Sequence, residues 1–242
     1  MRGVLLVGGL GTRSMPFSAI INKCLLPVGR EPILYNSIRQ MALSGISDIA
    51  FVGDTRCLND ISILVEHDRH NWPDANFVYC EQQEQSGGID ALVCAKKFIG
   101  NDCSMVILGD NILTHPITRF VSNFNAQSCG ARILLYENRV ACSGYGMTEV
   151  CGNSVLRITD NSSISAGQYI ATGYMIYDSE VFNIIDSIGG GRGLTFVNNE
   201  YAASGIMEYD VIDGLWDDAG TIKGRMRVDR IFQEIGHEIK KN

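Results

Sequence analysis

The chain predicts an α/β fold on a mainly parallel sheet, with an antiparallel excursion in its second half. Three observations point there. Short apolar runs alternate with helical patterns through the first 137 residues. After residue 138 strand-like segments follow one another with little helix between them. The 242 residues are 45% hydrophobic, ample for one large core.

Residues 3–7, 48–52, 76–80, 105–108 and 132–136 read as buried strands, each a short apolar and β-branched run. Between them, residues 33–43, 59–66, 89–98 and 117–125 carry helical patterns, several behind a Pro, Asp or Asn start signal. That alternation implies right-handed crossovers. Residues 145–150, 154–158 and 173–178 then read as strands of an antiparallel excursion beside the main sheet. Helices return at 179–187 and 195–204, before a strand at 207–212 and a terminal helix over 221–239.

Composition excludes several classes. A net charge of −7 disfavours a nucleic-acid surface, which needs a basic stripe. The apolar run at 4–7 is too short for a signal segment or a membrane span, so a soluble cytoplasmic protein without a membrane partner is expected. The eight cysteines lie singly, mostly in apolar segments and without a CxxC spacing, which reads as buried free thiols.

The first strand runs into GGLGTR, a glycine-rich turn at a strand's carboxyl end, where open α/β sheets bind ligands. Glycines let backbone N–H groups approach phosphate oxygens. The spacing matches neither GxGxxG nor a P-loop. Arg13 and Lys23 follow, two isolated cations able to converge on a polyphosphate; a plain turn with two surface cations is the other reading. In MVILGDN, Asp110 sits at another strand's carboxyl end on the same rim. It either caps the next turn or, facing a phosphate site, holds a divalent cation such as Mg²⁺.

With these motifs the chain resembles the sugar-nucleotide nucleotidyltransferases, and most of all the glucose-1-phosphate thymidylyltransferases. Their GGxGTRLxPxT...KxLLPV signature is matched by Gly8, Gly9, Gly11, Thr12, Arg13, Pro16, Lys23, Leu25, Leu26, Pro27 and Val28. The likeness continues through REPILYNSI, FIGNDCSMVILGDNIL, YGMTEV and LWDDAGT. It implies a Rossmann-like doubly wound mixed sheet with a small added antiparallel sheet. It also implies one domain over 1–242: a nucleotide-binding core at 1–137, and a sugar-phosphate part with the terminal helix at 138–242.

The implied reaction is attack of a sugar 1-phosphate oxygen on the α-phosphorus of a nucleoside triphosphate, with release of pyrophosphate. Carried over by motif, Arg13 braces the triphosphate and Lys23 contacts phosphate at the reacting centre, while Asp110 and Asp218 hold Mg²⁺. Gly8, Gly9, Gly11 and Thr12 line the nucleotide site. QEQSGGI stands where the family reads thymine or uracil, giving Gln83 and Gly88 and a preference for dTTP or UTP. Asn111, Tyr145, Gly146 and Thr172 belong to the sugar pocket. A homo-oligomer, dimer or tetramer, is implied as well.

The acceptor side departs from the pattern. The family's Glu-Glu-Lys-Pro segment is replaced by RITDNSSISAGQYIATGY, and its R-G-E-L-E-I-T-D by GGGRGLTFVNN, which leaves Arg192 as the candidate acceptor-phosphate ligand. Two expectations follow. Either the chain is an active transferase for a modified sugar phosphate or another phosphomonoester, or it is a weakly active or inactive nucleotide-binding homologue that works through complex formation.

Overall fold

The computed structural model describes residues 1–9, 11, 14–84, 86–140, 142–161 and 163–239, with backbone alone at Asn161 and 231–239. In chain order the elements are β1 (Arg2–Leu6), β2 (Pro27–Val28), β3 (Glu31–Pro32), α1 (Ile33–Leu43), β4 (Asp48–Gly53), α2 (Thr55–His67) and β5 (Asn76–Glu81). Next come α3 (Gly88–Cys94), α4 (Lys96–Ile99), β6 (Ser104–Leu108), β7 (Asn111–Leu113), α5 (Thr118–Ala126), β8 (Ala131–Glu137), β9 (Tyr145–Cys151) and β10 (Ser154–Asn161). The chain continues through β11 (Tyr169–Tyr177), α6 (Val181–Ile188), α7 (Leu194–Ala203), β12 (Met207–Val211), β13 (Trp216–Asp218) and α8 (Ile222–Ile239).

The fold is mixed α/β: a nine-stranded central sheet in the order β5-β4-β1-β6-β11-β8-β12-β10-β9, plus two-stranded antiparallel sheets β13-β7 and β2-β3. Helices cover both faces. Successive residues of β1 alternate between them. Leu5 packs with Ile38 and Met41 of α1 and Ile61 of α2. Val4 and Leu6 pack with Ile89 and Leu92 of α3 and Val197 and Tyr201 of α7. The central strands are therefore buried on both sides, which is why they read as unbroken apolar runs.

The sheet is parallel from β5 to β6, and again where β12 pairs with β8. Between these stretches β11 enters antiparallel between β6 and β8, so the second half of the sheet departs from the mainly parallel reading. The cause is connectivity: the β9–β10 hairpin returns the chain from the far edge, and β11 runs back across the centre. The hairpin itself is the expected antiparallel excursion, and it bonds to the central sheet through β11 and β12.

Two helices differ locally from expectation. α2 starts one turn early because the Asp54 side chain caps the Cys57 N–H at 2.9 Å. The stretch 89–98 is two helices, since the Ala95 N–H turns to Leu92 O and tightens the chain there. The cysteines are all free, but only Cys24 and Cys57 are buried; Cys129 and Cys151 are exposed. Among the described residues no helix is long and apolar enough to cross a membrane.

Candidate active site

Strand register assembles the site. β1 and β6 are parallel neighbours with Leu6 opposite Leu108, so the turn at Gly8 and Gly9 leaves the sheet beside Gly109 and Asp110. Glycine suits the close approach: a Cβ on Gly109 would stand 3.0 Å from Val7 and 3.1 Å from the Cys24 sulfur, and both would have to give way. Asp218 arrives by another route. β13 pairs with β7 so that Asp218 faces Asn111, and the Ala219 N–H donates to Asp110 O at 2.9 Å.

Asp110 and Asp218 are both buried and converge on one point. A Cβ placed on Gly220 would fall 2.3 Å from Asp110 Oδ2 and 2.8 Å from Asp218 Oδ1. Gly220 N–H donates to Asp218 Oδ1 at 2.8 Å, and Ser14 Oγ donates to Gly220 O at 2.6 Å, tying the glycine turn to this loop. Asp217 faces the other way, where both its oxygens meet the Arg227 guanidinium.

Lys23 sits on a short turn capped by Asn22, whose side chain accepts from Cys24 N–H and donates to Val7 O. Its ammonium bonds Asp110 Oδ2. Burial, the largest single influence, works to lower the Lys23 pKa, but the Asp110 charge and hydrogen bond together with Cys24 and Asp218 outweigh it and hold the ammonium above its ordinary value. Burial likewise works to raise the Asp110 carboxyl, and Lys23, with hydrogen bonds from Lys23 and Asn111, carries it below the usual carboxylate range. Both groups are charged at neutral pH.

These residues open on a cleft of about 600 Å³. Gly8, Gly9, Gly11, Lys23, Gly88, Asp110, Asn111, Tyr145, Gly146, Thr172 and Asp218 all line it. Thr12 and Arg13 lie outside the described residues. The Asn111 side chain is held on three sides, donating to Asp110 at 3.1 Å and accepting from Gly173 N at 3.0 Å and Trp216 Nε1 at 2.8 Å. Thr172 Oγ1 donates to Leu134 O at 2.7 Å, so that proton is engaged within the protein.

Two predicted residues fall elsewhere. Gln83 is exposed and off the cleft; Gln82 is buried, lines the cleft and donates from Nε2 to Gly87 O at 3.3 Å. The reason is that the β5 ladder runs one residue further, with Gln82 N donating to Gly53 O, which turns Gln82 inward and Gln83 out. Arg192 is also exposed, its guanidinium stacked over Phe196 at 5.0 Å and outside the cleft wall. Among the described residues lining the cleft, Lys23 is the single cation. Residues missed from the sequence include Leu194, Thr195, Asn198 and the cleft-lining Trp216; they lie in GGGRGLTFVNN and LWDDAGT, segments that the sequence singles out for other residues.

The nucleotidyl transferase family model matches residues 2–233. The chain belongs to this family. Its members are enzymes that couple a nucleoside triphosphate with a sugar phosphate to form a nucleotide sugar, and they include thymidylyl- and UDP-glucose-forming transferases. This nucleotidyl transferase is 29% identical over 229 residues to a glucose-1-phosphate thymidylyltransferase of Mycobacterium tuberculosis, covering 91% of this chain and 78% of that one. A crystal structure assigned as a glucose-1-phosphate thymidylyltransferase of Bacillus anthracis, in complex with sucrose, superposes with a TM-score of 0.86 at 30% identity, covering 96% of this chain and 94% of that one. The UTP-bound UGPase of Acinetobacter baumannii shares the fold, with a TM-score of 0.83 at 18% identity over 99% and 97% of the two chains.

Proposed function

We propose that this nucleotidyl transferase condenses dTTP or UTP with a sugar 1-phosphate, giving a nucleotide sugar and pyrophosphate. The observation that carries the reading is the convergence of Lys23, Asp110 and Asp218 beside the glycine turn. A cation and two carboxylates buried beside a glycine-rich turn suit charge neutralisation rather than proton transfer.

Two buried carboxylates that face one point beside Gly220 are a donor set suited to Mg²⁺. No cluster of three or more His, Cys, Asp or Glu occurs among the described residues, in keeping with Mg²⁺ chemistry, where one or two carboxylates share the ion with substrate phosphates and water. Asp110 and Asp218 would hold it, and it would supply Lewis-acid neutralisation of phosphate oxygens.

The chain's own residues do the positioning. Backbone N–H groups at Gly9 and Gly11 receive the phosphates that leave as pyrophosphate, and Arg13, assigned by motif, braces them. The Gly8 N–H, donated to Val52 O at 3.1 Å, anchors the turn to the sheet. Lys23, oriented by Asp110, meets the charge that grows on the α-phosphoryl oxygens as the acceptor oxygen bonds to phosphorus and the bond to the β-phosphate breaks. Gln82, beside Gly8 and Gly87, is the amide placed to read a pyrimidine imide edge.

One observation favours a second reading for the acceptor. With Arg192 stacked on Phe196, the described acceptor wall offers no cation besides Lys23. That suits a phosphomonoester other than glucose 1-phosphate, or a homologue that binds nucleotide without turnover. Pyrophosphate release with Mg²⁺, across four nucleoside triphosphates and a panel of sugar 1-phosphates and phosphocholine, separates these readings. Turnover with one pair identifies the acceptor; calorimetric nucleotide binding without turnover by any pair rejects the enzyme.

A further inference from the structure

The base-side and acceptor-side walls of the cleft are strapped together at one place. The loop 189–193 leaves α6 and enters α7, with Gly189 and Gly191 at φ +80° and +74°. Asp90, in the first turn of α3, reaches across to it: Oδ2 accepts from Gly191 N at 2.9 Å. A Cβ on Gly190 would stand 2.4 Å from Asp90 Oδ1, so a side chain there would push the carboxylate out of its present place against the loop.

Neighbouring contacts continue the strap. Ile89 N–H donates to Arg192 O at 3.1 Å, and a Cβ on Gly87 would lie 2.6 Å from that same oxygen. Gly88 abuts Leu194, and Gln82 holds Gly87 from the other side. A continuous chain of contacts thus leads from Gln82 to Gly193, Leu194 and Thr195 in the cleft wall. Asp90 itself is not a lining residue.

We propose that Asp90 is a positioning residue for the acceptor. It holds the 189–193 loop on the segment 87–90, so that setting this segment with the nucleotide base also sets the wall the acceptor meets. The terms base and acceptor rest on the transferase reading above; the strap itself does not. A glycine-rich loop has many conformations to lose, and a carboxylate-to-amide bond is among the stronger single restraints available to hold it.

Trypsin reads the strap directly, because Arg192 is exposed within the loop. Wild type, Asp90→Ala, Asp90→Asn and Gly190→Ala are digested briefly with and without dTTP or UTP, and the new terminus at Gly193 is followed by mass spectrometry. Steady-state constants are measured alongside. Asp90→Ala and Gly190→Ala should speed cleavage after Arg192 about fivefold or more. They should raise the acceptor KM about tenfold while kcat and the nucleotide KM move less than about threefold.

Asp90→Asn keeps an acceptor oxygen and should recover most of both effects. Nucleotide should slow the cut in wild type and not in Asp90→Ala. Equal cleavage in wild type and Asp90→Ala overturns the strap; faster cleavage with an unmoved acceptor KM overturns the positioning role. If no substrate pair turns over, the transferase reading falls, and the nucleotide effect on cleavage alone decides whether base-side binding reaches the loop.

Discussion

The Lys23 ammonium rests on the Asp110 carboxylate across 87 residues of sequence, with only 17% and 8% of the two side chains exposed. The pair joins the loop after β1 to the end of β6. It also places the cleft's single described cation beside both buried carboxylates.

Removing one partner tests that arrangement. Asp110→Asn should lower turnover about a thousandfold, because charge neutralisation at the reacting centre is lost. It leaves a buried ammonium without its counter-charge, so stability should fall by about 3 kcal/mol with the fold retained. Pyrophosphate release and a thermal melt measure the two effects; near-normal turnover would remove Asp110 from the machinery.

Gly220→Ala probes the same point without touching a charge. The added Cβ would meet both carboxylates, and Gly220 has no left-handed backbone to strain. Turnover should drop about a hundredfold, and more Mg²⁺ should be needed for half-maximal rate. An unchanged metal dependence would place the ion elsewhere.

Base choice should follow Gln82. Replacement by Leu should raise the dTTP and UTP KM about tenfold and narrow their lead over purine triphosphates. Gln83→Ala should leave both within about twofold, since that side chain faces solvent. The reverse outcome would restore Gln83 as the reader.

The thiols give a test against pH. Burial and the nearby Asp54 and Asp60 push the Cys57 thiol up to about 12, and burial pushes Cys24 up as well. The thiolate is the reactive form, so a raised pKa keeps the fraction negligible until pH approaches that value. Iodoacetamide at pH 8 should label exposed Cys129 and Cys151 and spare Cys24 and Cys57, and raising the pH to about 10 should not recruit Cys57 while the fold holds. Mass spectrometry of the labelled peptides reads this out.

By itself the sequence determined the central strands, the helices between them and the motifs at the strand ends. Strands such as β1 and β6 are buried on both faces, which makes them legible as apolar runs, and the rule that ligands gather at carboxyl ends put Gly8 and Asp110 on one rim. The two- and three-residue strands β2, β3 and β7 are not legible, because so short a segment has no periodicity to read.

Tertiary structure alone decided the rest. Nothing local in EQQEQ says which glutamine turns inward; one more ladder bond, from Gln82 N to Gly53 O, decides it. Arg192 reads as an acceptor-phosphate ligand in the sequence and is stacked on Phe196 in the fold. The Asp90 carboxylate meets Gly191 across 101 residues, and Asp218 meets the Asp110 loop only because β13 lies against β7. Such pairings depend on how distant strands register, and register is set by the packing of the whole sheet.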